Sequence, residues 1–142
     1  MTLRIERVVD AATVIRGAHL FDEAVDADAT SRFLASPTHH LLFAYDDEVA
    51  DPMHPVGMIS AAELTHPDKG TEMFLNELGV DEIAQRRGIG AALVRALADL
   101  ARSQGCSAMW VGTEPDNVAA LATYRSTGPV SSEPFVAFTW EF

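Results

Sequence analysis

Apolar and polar positions change period several times along this chain, and each change marks an element. Residues 2–9 alternate apolar and charged side chains, as a half-exposed strand does. Val14, Ala18 and Phe21 then recur at helical spacing, and Asp26 or Asp28 can open a second short helix ending near Ser36-Pro37. His40 to Tyr45 and Val56 to Leu64 read as strands. The segment DDEVADPMHP between them holds two prolines and four acids and reads as an exposed hairpin loop. After the turn LTHPDKG, TEMFLNELGV is a strand ending near Val80, and DEIAQ is a short acidic connector.

Residues 88–104 carry the strongest helical pattern. Ile89, Leu93, Leu97 and Leu100 fall on one face and Gly105 stands at the stop position. Ser107 to Gly112 is a predicted strand, and Asp116 to Thr127 a predicted helix closed by Gly128. Phe135 to Phe142 is a predicted terminal strand. No internal repeat, low-complexity segment or linker interrupts the order. At 142 residues the chain is expected to form a single domain, residues 1–142.

Charge narrows the classes of partner. A formal net charge of −11 argues against nucleic acid, whose binding needs a basic face to displace counterions. It suits a cationic ligand such as a polyamine, an amino sugar or a basic peptide, and it also suits plain solubility. No apolar run approaches the ~18 residues of a membrane span, so no membrane partner is expected. The single cysteine, Cys106, excludes an internal disulfide and fits a reducing, cytoplasmic location. It opens an apolar run, which suits a buried structural thiol. Among the histidines, His39-His40, His54 and His66 lack a ligand spacing such as H-E-x-x-H, so no metal is expected.

The candidate chemistry begins at Gln85-Arg86-Arg87-Gly88-Ile89-Gly90. The first turn of a helix leaves backbone N–H groups unpaired, glycine lets a diphosphate approach them, and arginine adds charge with direction. A Rossmann fingerprint fails here because Leu93 takes the third small position. A P-loop fails because Lys69 is the chain's only lysine. Downstream, Asn117 and Tyr124 lie seven residues apart, which brings them within about 20° on one helix face. Asn117 is also a good helix cap, and Tyr124 a good core aromatic.

ELGV, QRRGIG opening a long helix, a strand, and then DNVAALATYRSTG together resemble the GNAT superfamily of acetyl-CoA-dependent N-acetyltransferases. The Q-x-x-G-x-G pattern fits Gln85, Gly88 and Gly90, and the second motif runs from Asn117 through Tyr124 to Gly128. Together they cover roughly residues 71–128. HLLFAYDD, ELTHPDKGTEMFLNELGV and the ending FTWEF are similar to class-I aminoglycoside 3-N-acetyltransferases and their relatives. The resemblance implies an α+β, three-layer fold with a mixed, mostly antiparallel sheet flanked by helices.

It also implies roles. The backbone at Leu78, Gly79 and Val80 would bind the pantetheine arm of acetyl-CoA like an added strand. Gln85, Arg86 and Arg87, with N–H groups from Gly88, Ile89, Gly90 and Ala91, would hold its diphosphate. Asn117 would bond the pantetheine region, and Tyr124 would stand near the sulfur as general acid. Glu77 matches the acidic position of the aminoglycoside enzymes and would be the base. In a regular strand it shares a side with Leu75 and Gly79, a relation that a bulge would change.

The expected reaction is transfer of an acetyl group to a primary amine of a small cationic acceptor, such as an aminoglycoside-like amino sugar. Direct attack in a ternary complex needs no nucleophilic cysteine, and no histidine pairs with Cys106 by pattern. The superfamily also allows peptide or protein N-acetylation, and a non-catalytic CoA-binding regulatory module. A homodimer is one assembly it allows. Asp22, Glu23, Asp26 and Asp28 sit where the superfamily shapes its acceptor side, and Glu63 and Glu72 are weaker candidates for the same pocket. Pro129 after Gly128 and the short segment VSSEPFVAFTWEF depart from the pattern, and put the acceptor rather than the donor in question.

Overall fold

The computed structural model describes residues 3–142. Five strands, β1 (Leu3–Arg7), β2 (His39–Asp46), β3 (Gly57–His66), β4 (Gly70–Val80) and β5 (Ala108–Trp110), form one sheet in sequential order. The first four pair antiparallel and β5 runs parallel to β4, so the sheet is mixed and mostly antiparallel as the sequence implies. Helices α1 (Ala11–Arg16) and α2 (Ala27–Ala35) lie between β1 and β2. Helix α3 (Ile89–Ser103) follows β4, and α4 (Val118–Ser126) follows β5.

Period-2 alternation sends neighbouring residues of β2 to opposite faces. Leu42 and Ala44 join Ile59, Met73, Leu75 and the buried stripe of α3, formed by Ile89, Leu93, Val94, Leu97 and Ala101. Leu41, Phe43 and Tyr45 join Met58 and Val14 on the other face, under Leu20, Phe21, Phe33 and Leu34. Three layers result, each held by burial worth about 1.5–3 kcal/mol per large apolar side chain.

The helix ends follow the local sequence. Asp10, Asp26 and Asn117 cap α1, α2 and α4, accepting from the amides of Thr13, Ala29 and Ala120 at 2.8, 2.7 and 3.1 Å. Gly105, at φ +82°, ends α3, where the Cys106 amide donates back to the Ala101 carbonyl at 2.9 Å.

Two features govern the site. Opposite Ser60 and Ala61 the β4 register slips: Ser60 faces Glu77 but Ala61 faces Leu75, leaving Asn76 as the extra residue of a bulge. In addition, β5 pairs with β4 only from Glu72 to Phe74. Beyond that, towards Val80, the β4 edge has no strand partner among the described residues.

The predicted terminal strand does not form. Residues 129–142 carry no helix or strand, and Phe135, Val136, Phe138, Trp140 and Phe142 are all exposed. Alternation marks a face to bury, but a strand also needs a hydrogen-bonded neighbour, and the adjacent β5 is three residues long. The Phe135 ring lies over Gly112.

Candidate active site

The acid predicted to act as base is aimed by the bulge. Leu75 packs into the α3-side core, whereas Glu77 faces the α1/α2 side, where it accepts a hydrogen bond from Ser60 Oγ at 3.1 Å. Glu77 therefore parts from Leu75, and the regular-strand relation is corrected by one extra residue. Gly79, two positions on, faces the Leu20 carbonyl and Met58, and a Cβ there would lie 3.0 Å from that carbonyl oxygen.

Glu77 and Ser60 line a cavity of about 370 Å³ beneath α2. Its apolar wall includes Phe21, Val25, Phe33 and Leu41, and its acids are Asp22, Glu23, Asp26 and Glu77. An apolar pocket with a few convergent polar groups is the usual form of a small-molecule site. Here every acid on the wall favours a cation. Asp28 is set instead in the first turn of α2 and does not line the cavity.

Glu63 and Glu72 lie outside it as well. Glu63 pairs with the wholly buried His40 at 2.6 Å, whose other ring nitrogen meets Arg7 at 2.7 Å. Glu72 pairs with His66 at 2.9 Å. Glu63 therefore ties β3 to β2, and Glu72 stands beside His66 across β3 and β4. Ser60 is not singled out by any motif, although a lone hydroxyl residue inside the apolar run VGMISAA is a usable signal.

On the opposite side of β4, Tyr124 packs against the α3-side core, and burial pushes its phenol pKa upwards. Asn117 stands at the head of the same helix, its Oδ1 engaged as the cap, which leaves its amide nitrogen for another partner. The end of β4 at Leu78, Gly79 and Val80, paired to β3 on one edge and open on the other, runs between Glu77 on one face and the α3–α4 layer on the other.

The loop into α3 has the geometry of an anion cradle. Arg86 takes a left-handed conformation at φ +62°, and Gly88 follows at +77°. Gly88 caps α3 without any side-chain hydrogen bond, so the first-turn amides of Ile89, Gly90 and Ala91 point outwards as donors. A Cβ on Gly90 would sit 3.3 Å from Thr123, so the glycine also allows α4 to approach. Gln85 donates to the Val80 carbonyl at 3.3 Å.

Arg87 is engaged elsewhere. Its guanidinium bonds Asp46 Oδ2 and Glu48 Oε2, each at 3.0 Å. Asp46 is almost wholly buried. The Glu48 backbone amide, followed by Arg87, holds its carboxyl below the usual range. Cys106 is partly buried, with its thiol pKa pushed up by desolvation and then by Glu63, the reverse of an activated nucleophile.

The open edge of β4, the mouth of α3 free of side-chain caps, and Glu77 and Tyr124 on opposite sides of β4 are the arrangement that the family resemblance implies. The chain belongs to the acetyltransferase (GNAT) family, whose pattern matches residues 7–128. It is 35% identical over 113 residues to the N-alpha-acetyltransferase RimI of Mycobacterium tuberculosis, covering 78% of this chain and 66% of that protein. It is 31% identical over 125 residues to the L-2,4-diaminobutyric acid acetyltransferase of Streptomyces coelicolor, covering 83% and 71%. Against the [ribosomal protein bS18]-alanine N-acetyltransferase of Escherichia coli the match, 37% identical over 57 residues, takes in 40% of this chain and 38% of the relative. The match thus spans about two thirds of the mycobacterial relative and well under half of the Escherichia coli one.

Among solved structures, an aminoglycoside acetyltransferase from an uncultured soil metagenomic sample, in complex with sisomicin, superposes with a TM-score of 0.88 at 23% identity. That match covers 99% of this chain and 96% of the other. The aminoglycoside acetyltransferase AAC(6')-Iy, in complex with a CoA bisubstrate analogue, gives 0.81 at 17% identity over the full length of both. At these identities the likeness establishes the fold.

Proposed function

We propose that the protein is an N-acetyltransferase that moves an acetyl group from acetyl-CoA to a primary amine of a small polycationic acceptor, with an amino sugar favoured. The observation that supports this reading is the acidic cavity of about 370 Å³ lined by Glu77, on the strand whose edge beyond Phe74 is open. The volume suits a small molecule.

The residues present fit acetyl-CoA, which when bound supplies an activated acyl carbon and a thiolate leaving group. Gln85, Arg86 and the N–H groups from Gly88 to Ala91 would hold its diphosphate, and Asn117 its pantetheine arm. Arg87 would brace the loop against β2 through Asp46 and Glu48. The acceptor reaches the site mostly as ammonium, so a carboxylate must take one proton before nitrogen can attack. Ser60 fixes one Glu77 oxygen and leaves the other for that proton. An amide at Leu78 or Val80 would stabilise the developing oxyanion. As the carbon–sulfur bond breaks, Tyr124 would protonate the thiolate.

A second reading, N-terminal acetylation of a protein, draws on the 35% identity to the mycobacterial RimI. A free-thiol release assay over aminoglycosides, diamino acids, polyamines and N-terminal peptides separates the two. Turnover with small polyamines but not with monoamine peptides is expected. Turnover confined to peptides would replace the first reading with the second. No thiol release, together with no thermal shift in millimolar acetyl-CoA, would end both.

A further inference from the structure

Sequence spacing offers no metal site, yet folding gathers three metal-ligating side chains from three separate segments. His19 lies on the 3-10 turn Ala18–Leu20, His54 in the β2–β3 loop, and Asp81 immediately after β4. Ligand atoms of all three lie within 4.8 Å of one another. Both imidazole Nε2 atoms stand 3.5 Å from the same carboxylate oxygen, Asp81 Oδ2.

We propose that His19, His54 and Asp81 form a binding site for a divalent transition metal, zinc above all. Two imidazoles with one carboxylate are a donor set that zinc accepts, with solvent filling the open position. Bonds of ~2.0–2.2 Å arranged tetrahedrally hold ligand atoms about 3.4 Å apart, close to both 3.5 Å separations seen here. His19 Nε2 donates a hydrogen bond to the Pro55 carbonyl at 3.0 Å, a bond that ligation exchanges for one to the ion.

The two rings are stacked, with centroids 4.4 Å apart and planes 13° from parallel. In-plane lone pairs on parallel rings do not converge, so ligation turns one ring out of the stack. His54 is the freer of the two, with 42% of its side chain exposed against 35% for His19. Neutral imidazole is the ligand form: an imidazolium releases one proton to water on binding, and a neutral ring with its proton on Nε2 moves it to Nδ1. The partial exposure of all three side chains gives an ion access.

The position gives the site a structural consequence. Asp81 follows Val80 directly and its amide donates to the Val56 carbonyl at 2.7 Å, while Leu20, next to His19, packs its carbonyl over Gly79. A bound ion ties the turn above the acceptor cavity to the end of β4. It is a clip between acceptor side and donor side, and it requires no acetyl-CoA.

Isothermal titration of the full chain with ZnCl2, in 150 mM NaCl and excess MgCl2 to suppress diffuse binding to its −11 charge, tests the proposal. One saturable site is expected, with a rise in Tm that EDTA reverses. His54→Gln and Asp81→Asn should each weaken it by about tenfold or more, the scale on which metal-site substitutions act. CoCl2 provides a reading that needs no variant, since visible d–d bands of a nitrogen–oxygen site should appear at one equivalent. No saturable binding, or binding unaltered by both substitutions, overturns it. Cobalt bands with strong thiolate charge transfer would assign the ion to Cys106 and overturn it equally.

Discussion

Ser60 Oγ donates a hydrogen bond to Glu77 Oε1 across β3 and β4, 3.1 Å long, at the step where the β4 register slips. The slip and the bond act together. The bulge turns Glu77 towards the acidic cavity, and the hydroxyl fixes which carboxylate oxygen stays free.

Glu77→Gln keeps the size of the side chain and its bond to Ser60 but cannot accept a proton. Turnover is expected to fall by ~10²-fold or more, within the usual span of general-base catalysis. The KM for acetyl-CoA should stay near that of the wild type. Ser60→Ala should produce a smaller loss, because the base remains but is less well aimed. Steady-state kinetics at saturating donor checks both, and equal losses would show that the hydroxyl does more than orient.

Tyr124 carries a separate prediction in pH. Burial raises its pKa above the ordinary value of 10.0, so the phenol stays protonated throughout the neutral and mildly alkaline range. Tyr124→Phe should lower kcat by about 10²-fold with little change in the affinity for acetyl-CoA. In the wild type, no loss of rate assignable to Tyr124 should occur up to about pH 10. Linkage has the matching sign: the phenol's contribution to stability is complete below its unfolded value and declines as pH rises through the folded one. An unchanged kcat in the phenylalanine variant would remove Tyr124 from the reaction.

Much of this is legible in the sequence because it is local. The α3 stripe, the caps Asp26 and Asn117, and the stop at Gly105 each follow from residues within a turn or two of one another. The helix mouth from Gln85 to Gly90 is of the same kind, since glycine spacing encodes backbone freedom directly. What stays hidden depends on which strand lies beside which. The bulge at Asn76 needs the β3 partner, and the engagement of Arg87 needs Asp46, 41 residues away. The ending FVAFTWEF has strand alternation but no ladder to join. Glu63 is a pocket candidate in the sequence, and a buried histidine from β2 engages it instead.

Gly88 offers a test of the cradle. At φ +77°, with no atom within 4 Å of where a Cβ would stand, alanine there meets no clash, only the left-handed penalty of about 1–2 kcal/mol. Gly88→Ala should lower stability by roughly that amount and raise the KM for acetyl-CoA while kcat holds. Gly17→Ala is the steric contrast, because its new Cβ would lie 2.3 Å from the ring of buried Phe43. It should cost about 1–3 kcal/mol through overpacking. Urea unfolding with donor-dependent kinetics distinguishes them, and an unaltered KM in Gly88→Ala would detach the loop from the donor.

Asp46 supplies the acid limit. The Glu48 amide, then Arg87, holds its carboxyl below the ordinary value of 3.8, so the folded protein binds this proton less readily than the unfolded chain does. The resulting stability is complete above about pH 3.8 and disappears as pH falls through the lower folded value. Asp46→Asn removes the titration and weakens the bond to Arg87. The wild type should therefore be the more stable protein at pH 7, and its lead should shrink as the pH approaches 3. Urea midpoints of the two proteins measured across that range report the difference directly. A constant gap would mean that the carboxylate's charge contributes nothing to holding Arg87, and that the loop into α3 is braced by Glu48 and by packing alone.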